Sequence, residues 1–246
     1  MSAQPAPARP APENRRSSTA PKRTSILPKP SSIFLDTTVL IAQHAQITGT
    51  HPVTIGPNTV LHPHSKLSSA IAPVVLGEGC VVFERAKVGV GMGTEGDAES
   101  RRSSMAPARS SAHVRESMRS EGTVLGRNVV VDSGAVVEAA EVGDGSVVEV
   151  GAVLGRGSII GKVCVLWLLS LVVGANISQY CTITASSVIP PYTRLPDYTV
   201  VFGGSQQRVD RTLQLRPEIL DAKMAVHAKQ LDMFKKLIPN NIAKWS

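Results

Sequence analysis

His44, His62 and His64 are the side chains in this sequence best placed to do chemistry. Three neutral imidazoles brought to one point can hold a zinc ion and leave its fourth position for water. His44 and His64 each stand three residues after an aliphatic residue, Ile41 and Leu61. If those aliphatics occupy equivalent places in successive turns of a repeating structure, the two imidazoles stack, with His62 nearby. Against a metal, no carboxylate in the local sequence is placed to orient the rings. The next residue in the same column is Arg85, whose charge repels a cation. An exposed histidine column is the expected reading, with these three residues as the zinc candidates. His113, in "SSAHVRES", could deprotonate an acceptor hydroxyl as a general base, but no apolar neighbour anchors it against a substrate.

The three cysteines, Cys80, Cys164 and Cys181, form no CxxC pair. They suit neither a disulfide framework nor a zinc site, and a reducing compartment is expected. Ser17 and Ser18 in "NRRSS", and Ser103 and Ser104 in "RRSS", are serines beside paired arginines. They are candidates for phosphorylation, which would reverse the local charge, although a solvated polar linker is the favoured reading. No Gly-rich phosphate motif and no Ser-His-Asp pattern is present.

The element that must position these residues repeats every six. Aliphatics fall at Leu35, Ile41 and Ile47, then at Ile55, Leu61 and Leu67, then at Leu76, Val82 and Val88. The pattern returns at Leu125, Val131 and Val137, shortens by one to Val142, and runs through Val148, Leu154 and Ile160. It holds again from Ile177 through Ile183, Ile189 and Leu195 to Val201. A helix repeats near 3.6 residues and a strand at 2. Four residues after most of these aliphatics stands a small or β-branched residue, as at Ala45, Thr59, Cys80, Ala135 and Thr199. The pattern fits a solenoid of short strands and tight turns, three hexads to a triangular coil, with coils about 4.8 Å apart. About twenty hexads make about seven coils. All three cysteines fall on the small position and are expected to be buried and inert.

Residues 1–33 are rich in Pro, Ala, Ser and Arg and are expected to be a disordered tail. They hold six basic residues against the single acid Glu13. Much of the net charge of +7 therefore sits in a tail, not on a nucleic-acid-binding surface. The N-terminal stretch has no apolar core of a secretory signal. The repeat domain spans 34–204, interrupted by a polar loop over 91–122, expected to be disordered, and by an apolar run over 163–173, "VCVLWLLSLVV". That run is too short to cross a bilayer, which takes about 20 residues. Removing it puts Ile177 one hexad after Ile160, as expected of an insertion such as a translated intron; sequencing the transcript tests this. Residues 205–246 form a linker and an amphipathic helix over 217–237, started by Pro217 and stopped by Pro239. Its ordinary role is to cover the exposed edge of the solenoid's last coil.

Hexapeptide solenoids include acyltransferases and zinc enzymes of the gamma carbonic anhydrase type, and these are the alternative functional class. "VTIGPNTVLHPHSKL" (Val53–Leu67), "VLGEGCVVFERAKV" (Val75–Val88) and "IPPYTRLPDYTVVFGGSQQRV" followed by "MFKKLIPN" resemble the dynactin subunit 6 family. The resemblance covers most of residues 35–240 and implies a left-handed parallel β-helix. The period does not fix that hand, since parallel crossovers are usually right-handed. It further implies a non-enzymatic adaptor without cofactor, paired with dynactin subunit 5 beside the actin-related protein at the pointed end of dynactin. Such a subunit would support dynein cargo transport on microtubules, in the cytoplasm at the cytoskeleton, with no nucleic acid and no membrane insertion.

Overall fold

The computed structural model describes residues 30–91, 122–161 and 180–245. The tail over 1–29, Ser17, Ser18, Ser103, Ser104, His113, Cys164 and the run over 163–173 lie outside them.

Seven coils stack into a three-sided prism. The first three are β1 (Ile33–Leu35), β2 (Leu40–Ile41), β3 (Gln46–Gly49); β4 (Val53–Ile55), β5 (Val60–Leu61), β6 (Lys66–Ser69); and β7 (Val74–Leu76), β8 (Val81–Val82), β9 (Lys87–Val88). The next two are β10 (Thr123–Leu125), β11 (Val130–Val131), β12 (Val136–Val137); and β13 (Glu141–Val142), β14 (Val147–Val148), β15 (Val153–Leu154). The sixth is β16 (Ile159–Ile160), β17 (Thr182–Ile183), β18 (Val188–Ile189), and the seventh is β19 (Arg194–Leu195) with β20 (Thr199–Phe202). Every third strand joins the same parallel sheet: A from β1 to β19, B from β2 to β20, C from β3 to β18. An antiparallel strand, β21 (Gln206–Val209), closes sheet B against β20.

The chemistry of each hexad explains the prism. The period-six aliphatics point inward; Ile41, Leu61, Leu125, Ile160 and Leu195 are buried. The small position is buried too, and its polar members spend their hydrogen on a turn carbonyl. Thr59 Oγ1 donates to Gly77 O at 2.9 Å, Ser65 Oγ to His62 O at 2.7 Å and Cys80 Sγ to Gly126 O at 3.0 Å. Between the two, the third residue of many turns takes a left-handed conformation, at His44, Asn58, His64, Arg85, Asn128, Ser186, Tyr192 and Tyr198. Such backbone favours Gly, Asn and His over other residues.

Most departures from six fall at one edge, where sheet C turns into sheet A; the stretch from Ile160 to Ile183 falls instead where sheet A turns into sheet B. Ile47 to Ile55 is eight residues, Leu67 to Leu76 nine and Val88 to Leu125 thirty-seven. The first three coils thus carry extra chain at the same corner. The sequence reading of the sixth coil needs correction. Ile183, not Ile177, follows Ile160 around the prism, and it pairs with Val148 in sheet B. Ile177 lies outside the described residues, so each later hexad sits one side further back than removal of 163–173 alone would put it.

After the last coil come a short helix, α1 (Arg211–Leu215), capped by the Asp210 carboxylate, and a long one, α2 (Pro217–Leu237). Pro217 at the first turn, Glu218 near the N-terminus and Lys235 and Lys236 near the C-terminus all suit α2. It does not cover the last coil. It lies along the outer face of sheet B, packing Leu231, Phe234 and Ile238 against Leu40, Val60, Val81 and Phe83. The chain beyond it closes the first coil. Asn240 Oδ1 accepts from Ile41 N at 3.1 Å, Asn240 Nδ2 donates to Val39 O at 3.0 Å, and Asn241 N donates to Ile41 O at 2.8 Å. Ile242 and Trp245 pack against the end of the core. The physical reason is reach: a helix running back along the stack ends where the first edge is open, while β21 already pairs with the last strand of sheet B.

Candidate active site

The left-handed turns between sheets B and C bring His44 and His64 together. Their rings stack with centroids 5.2 Å apart and planes 5° from parallel. His62 is turned away from them. It is buried between Phe83 and Phe234 of α2, with centroids 4.5 and 4.6 Å away. His44 and His64 occupy left-handed turn positions, with φ of 64° and 61°, whereas His62 precedes the turn, and this separates it from its expected partners. Among the described residues no group of three or more His, Cys, Asp or Glu side chains converges to hold a metal.

Burial in this aromatic cluster holds the His62 imidazole below its usual pKa, against a smaller opposing pull from Glu84. Among the described residues its Nε2 has no hydrogen-bond partner. A histidine depressed in the folded state is neutral in both states above its unfolded pKa, near 6.5. As pH falls below that value the unfolded chain takes up the proton first, so stability drops until the folded pKa is passed. The expected result is a loss of α2 docking on acidification, seen as a falling denaturation midpoint below about pH 6.5. His62→Leu should flatten that slope; an unchanged slope would remove His62 as its source.

The thiols of Cys80 and Cys181 are both buried, and burial pushes them up to about 12 and about 11. Neither is a nucleophile at neutral pH. His227 is buried in α2, with Nε2 2.7 Å from the carbonyl of Gly79. It pins the helix to the prism.

His51 is the residue that the sequence reading left without a role. It sits at the corner between sheets C and A, half-buried, and Ser69 of the next coil fixes it. The Ser69 carbonyl accepts the backbone N–H of Thr50 at 3.2 Å and of His51 at 3.0 Å, and lies 2.9 Å from His51 Nδ1. The Ser69 hydroxyl donates back to the His51 carbonyl at 2.8 Å. A carbonyl oxygen only accepts, so Nδ1 carries the proton and the neutral ring keeps its lone pair on Nε2. An imidazole oriented this way, on a partly open surface, presents Nε2 as an acceptor. The signal for it in the sequence is its place in the two-residue excess between Ile47 and Ile55.

The same corner anchors the long interruption. Gly91, where the described chain stops, packs against Ile71; Gly122, where it resumes, packs against Pro73. Ile71 and Pro73 belong to this corner of the second coil, one coil from His51. No other corner of the first three coils carries extra chain.

No family model and no curated protein matches the chain. Solved structures do match it. A hexapeptide transferase family protein from Anaplasma phagocytophilum aligns at 14% identity and a TM-score of 0.57, covering 86% of this chain and 98% of that one. A putative acetyltransferase from Bacillus cereus aligns at 15% identity and a TM-score of 0.40, covering 83% and 92%. An N-acyltransferase from Bacillus cereus, solved with dTDP and coenzyme A, aligns at 13% and 0.39, covering 79% and 93%. The fold is a left-handed parallel β-helix of hexapeptide repeats.

The expectation of a dynactin subunit is corrected by the comparisons: the Anaplasma structure that shares the fold is a hexapeptide transferase family protein, and nothing points to dynactin. With it go the non-enzymatic adaptor role, the partners dynactin subunit 5 and actin-related protein, the link to dynein and the cytoskeletal location. The physical reason lies in the residues that carried the resemblance. Ile55, Leu61, Ile189, Leu195 and Val201 are buried hexad positions, Thr59 and Ser65 are buried small positions, and Asn58, His64, Tyr192, Tyr198, Gly203 and Gly204 are left-handed turn residues. Any coil of this prism needs such residues, whatever the protein does. No helix among the described residues is long and apolar enough to cross a membrane.

Proposed function

We propose that this chain is an acyltransferase of the hexapeptide-repeat type, with His51 as its general base. The observation that carries the reading is the 2.9 Å contact between His51 Nδ1 and the buried Ser69 carbonyl, which leaves Nε2 free to take a proton. An acceptor hydroxyl or amine gives its proton to Nε2 as its oxygen or nitrogen attacks the carbonyl carbon of an activated acyl donor. The imidazolium so formed is stabilised through Nδ1–H by the Ser69 oxygen. Collapse of the tetrahedral oxyanion breaks the bond to the leaving group, a thiolate in a thioester donor, which takes the proton from Nε2. The transferase named for the Anaplasma protein of the same fold supports this reaction class.

Enzymes of this type usually build their sites between the subunits of a homotrimer. Here α2 covers sheet B and leaves the outer faces of A and C open, with Phe34 62% and Val188 52% exposed. A mass in solution of three chains is expected. The activity test is thiol release from acetyl-coenzyme A with a panel of hydroxyl and amine acceptors. His51→Asn is the decisive variant, because its Nδ2 keeps the hydrogen bond to Ser69 while the base is lost. It should lower kcat by about 100-fold or more with no change in Tm. His113→Ala, in the interruption over 92–121, tests the other candidate base and should retain activity. A wild-type chain that transfers no acyl group to any acceptor, or a fully active His51→Asn, would overturn the proposal.

A further inference from the structure

A second site lies far from His51, at the corner where sheet A turns into sheet B. There α2 bridges the prism and leaves a cavity of about 250 Å³. Along this corner the left-handed turn residues of coils two to four are Asn58, Gly79 and Asn128. Gly79 has no side chain, and a Cβ there would stand 2.3 Å from Asn128 Oδ1. The Asn128 carboxamide therefore crosses over Gly79 and forms a polar wall. The His227 bond to the Gly79 carbonyl holds the helix over the gap, so the space is held open by a pinned element. On the helix side the lining is apolar, from Met224, Ala228 and Leu231.

The charges at the rim give the ligand its class. Lys235 Nζ is engaged, donating to Asn58 Oδ1 at 2.7 Å. Glu78 and Asp232 also line the cavity, and among the described residues neither carboxylate has a hydrogen-bond or ion-pair partner. Among the described residues, the one cation at the rim is turned onto a neutral amide, while two exposed carboxylates have no protein partner. An apolar floor, carboxamide walls and two free carboxylates complement a compact apolar body carrying an ammonium group. The volume lies just below the usual range of ligand pockets, roughly 300–1,000 Å³, which limits the ligand to a small molecule.

We propose that the groove between α2 and the Asn58–Gly79–Asn128 corner binds a small organic amine. This site is independent of the acyl-transfer reading, since it lies on another corner and uses none of the His51 residues.

The test is calorimetric titration of the full chain with phenethylamine, with phenethyl alcohol and phenylacetate as the neutral and anionic counterparts. Saturable binding of the amine, at least tenfold tighter than the alcohol and with no binding of phenylacetate, is expected. Glu78→Gln and Asp232→Asn are surface changes that should leave Tm unchanged and together weaken amine binding at least tenfold. Methyl resonances of Met224 and Ala228 should shift on titration. Equal binding of amine and alcohol, no saturable binding, or amine binding untouched by both substitutions would each overturn the proposal. Failure of acyl transfer with amine binding intact would sink only the His51 reading.

Discussion

Gly89→Ala should separate the second and third coils and lower Tm by about 10 °C or more. Gly89 sits where sheet C turns toward the corner, with φ +121°, a conformation that L side chains rarely adopt. A Cβ there would lie 2.0 Å from Ser68 O and 2.9 Å from Ser68 C, both backbone atoms of the coil below. Backbone held in a ladder cannot give way as a side chain can. Strained backbone costs of order 1–3 kcal/mol and overpacking about the same again. Gly134→Ala is the control. Its φ of +70° is also left-handed, but among the described residues nothing lies within 4 Å of the added Cβ. It should show the backbone cost alone, about 1–2 kcal/mol. Thermal unfolding followed by circular dichroism compares the two. Equal losses would mean that the close approach between coils contributes nothing. The residue below, Ser68, precedes the Ser69 that orients His51, so Gly89→Ala should also impair any activity that depends on that corner.

Asn240→Ala should cost about 2–4 kcal/mol, a large effect for a residue after the last long helix. Val39 and Ile41 are fully buried, and the Asn240 side chain supplies a donor to one and an acceptor to the other. Its amide imitates a piece of the next strand, satisfying the edge of sheet B below the first coil. Alanine leaves a buried N–H and a buried C=O without partners, at about 1–3 kcal/mol each. Asn240→Asp keeps the acceptor and loses the donor, so chemical denaturation should place it between alanine and wild type. Deleting residues 239–246 also removes Ile242 and Trp245 from the end of the core. An uncovered sheet edge is a template for pairing with another chain. Light scattering should then report association at concentrations where the full chain is stable. A truncated chain of unchanged size and stability would show that the end needs no cover.

These two residues mark the line between what was legible and what was not. The period of six could be read because each hexad obeys its own local rule. An aliphatic points in, a small residue such as Ala45 or Cys80 hydrogen-bonds or packs at the turn, and a Gly, Asn or His accepts positive φ. The helix over 217–237 was legible for a similar local reason, from Pro217 and its apolar spacing. The stacking of His44 on His64 followed from counting hexads, because in-register coils place equivalent residues above one another.

The sequence by itself therefore determined the three-sided prism, its core and the helix after it. It did not determine which neighbour each turn residue meets, since that depends on contacts between segments far apart in the chain. His62 and His64 are two apart in sequence, yet one is buried under α2 and the other stacks in solvent. The same six-residue grammar also produced the misleading resemblance, since residues required by the fold recur in proteins of different function. Tertiary structure alone decided that Ser69, eighteen residues away, fixes the His51 ring. It alone decided that Asn240 closes the coil containing Ile41, 199 residues earlier. Local propensity acts over a few residues, whereas a site is made by the stacking of coils and the return path of a helix.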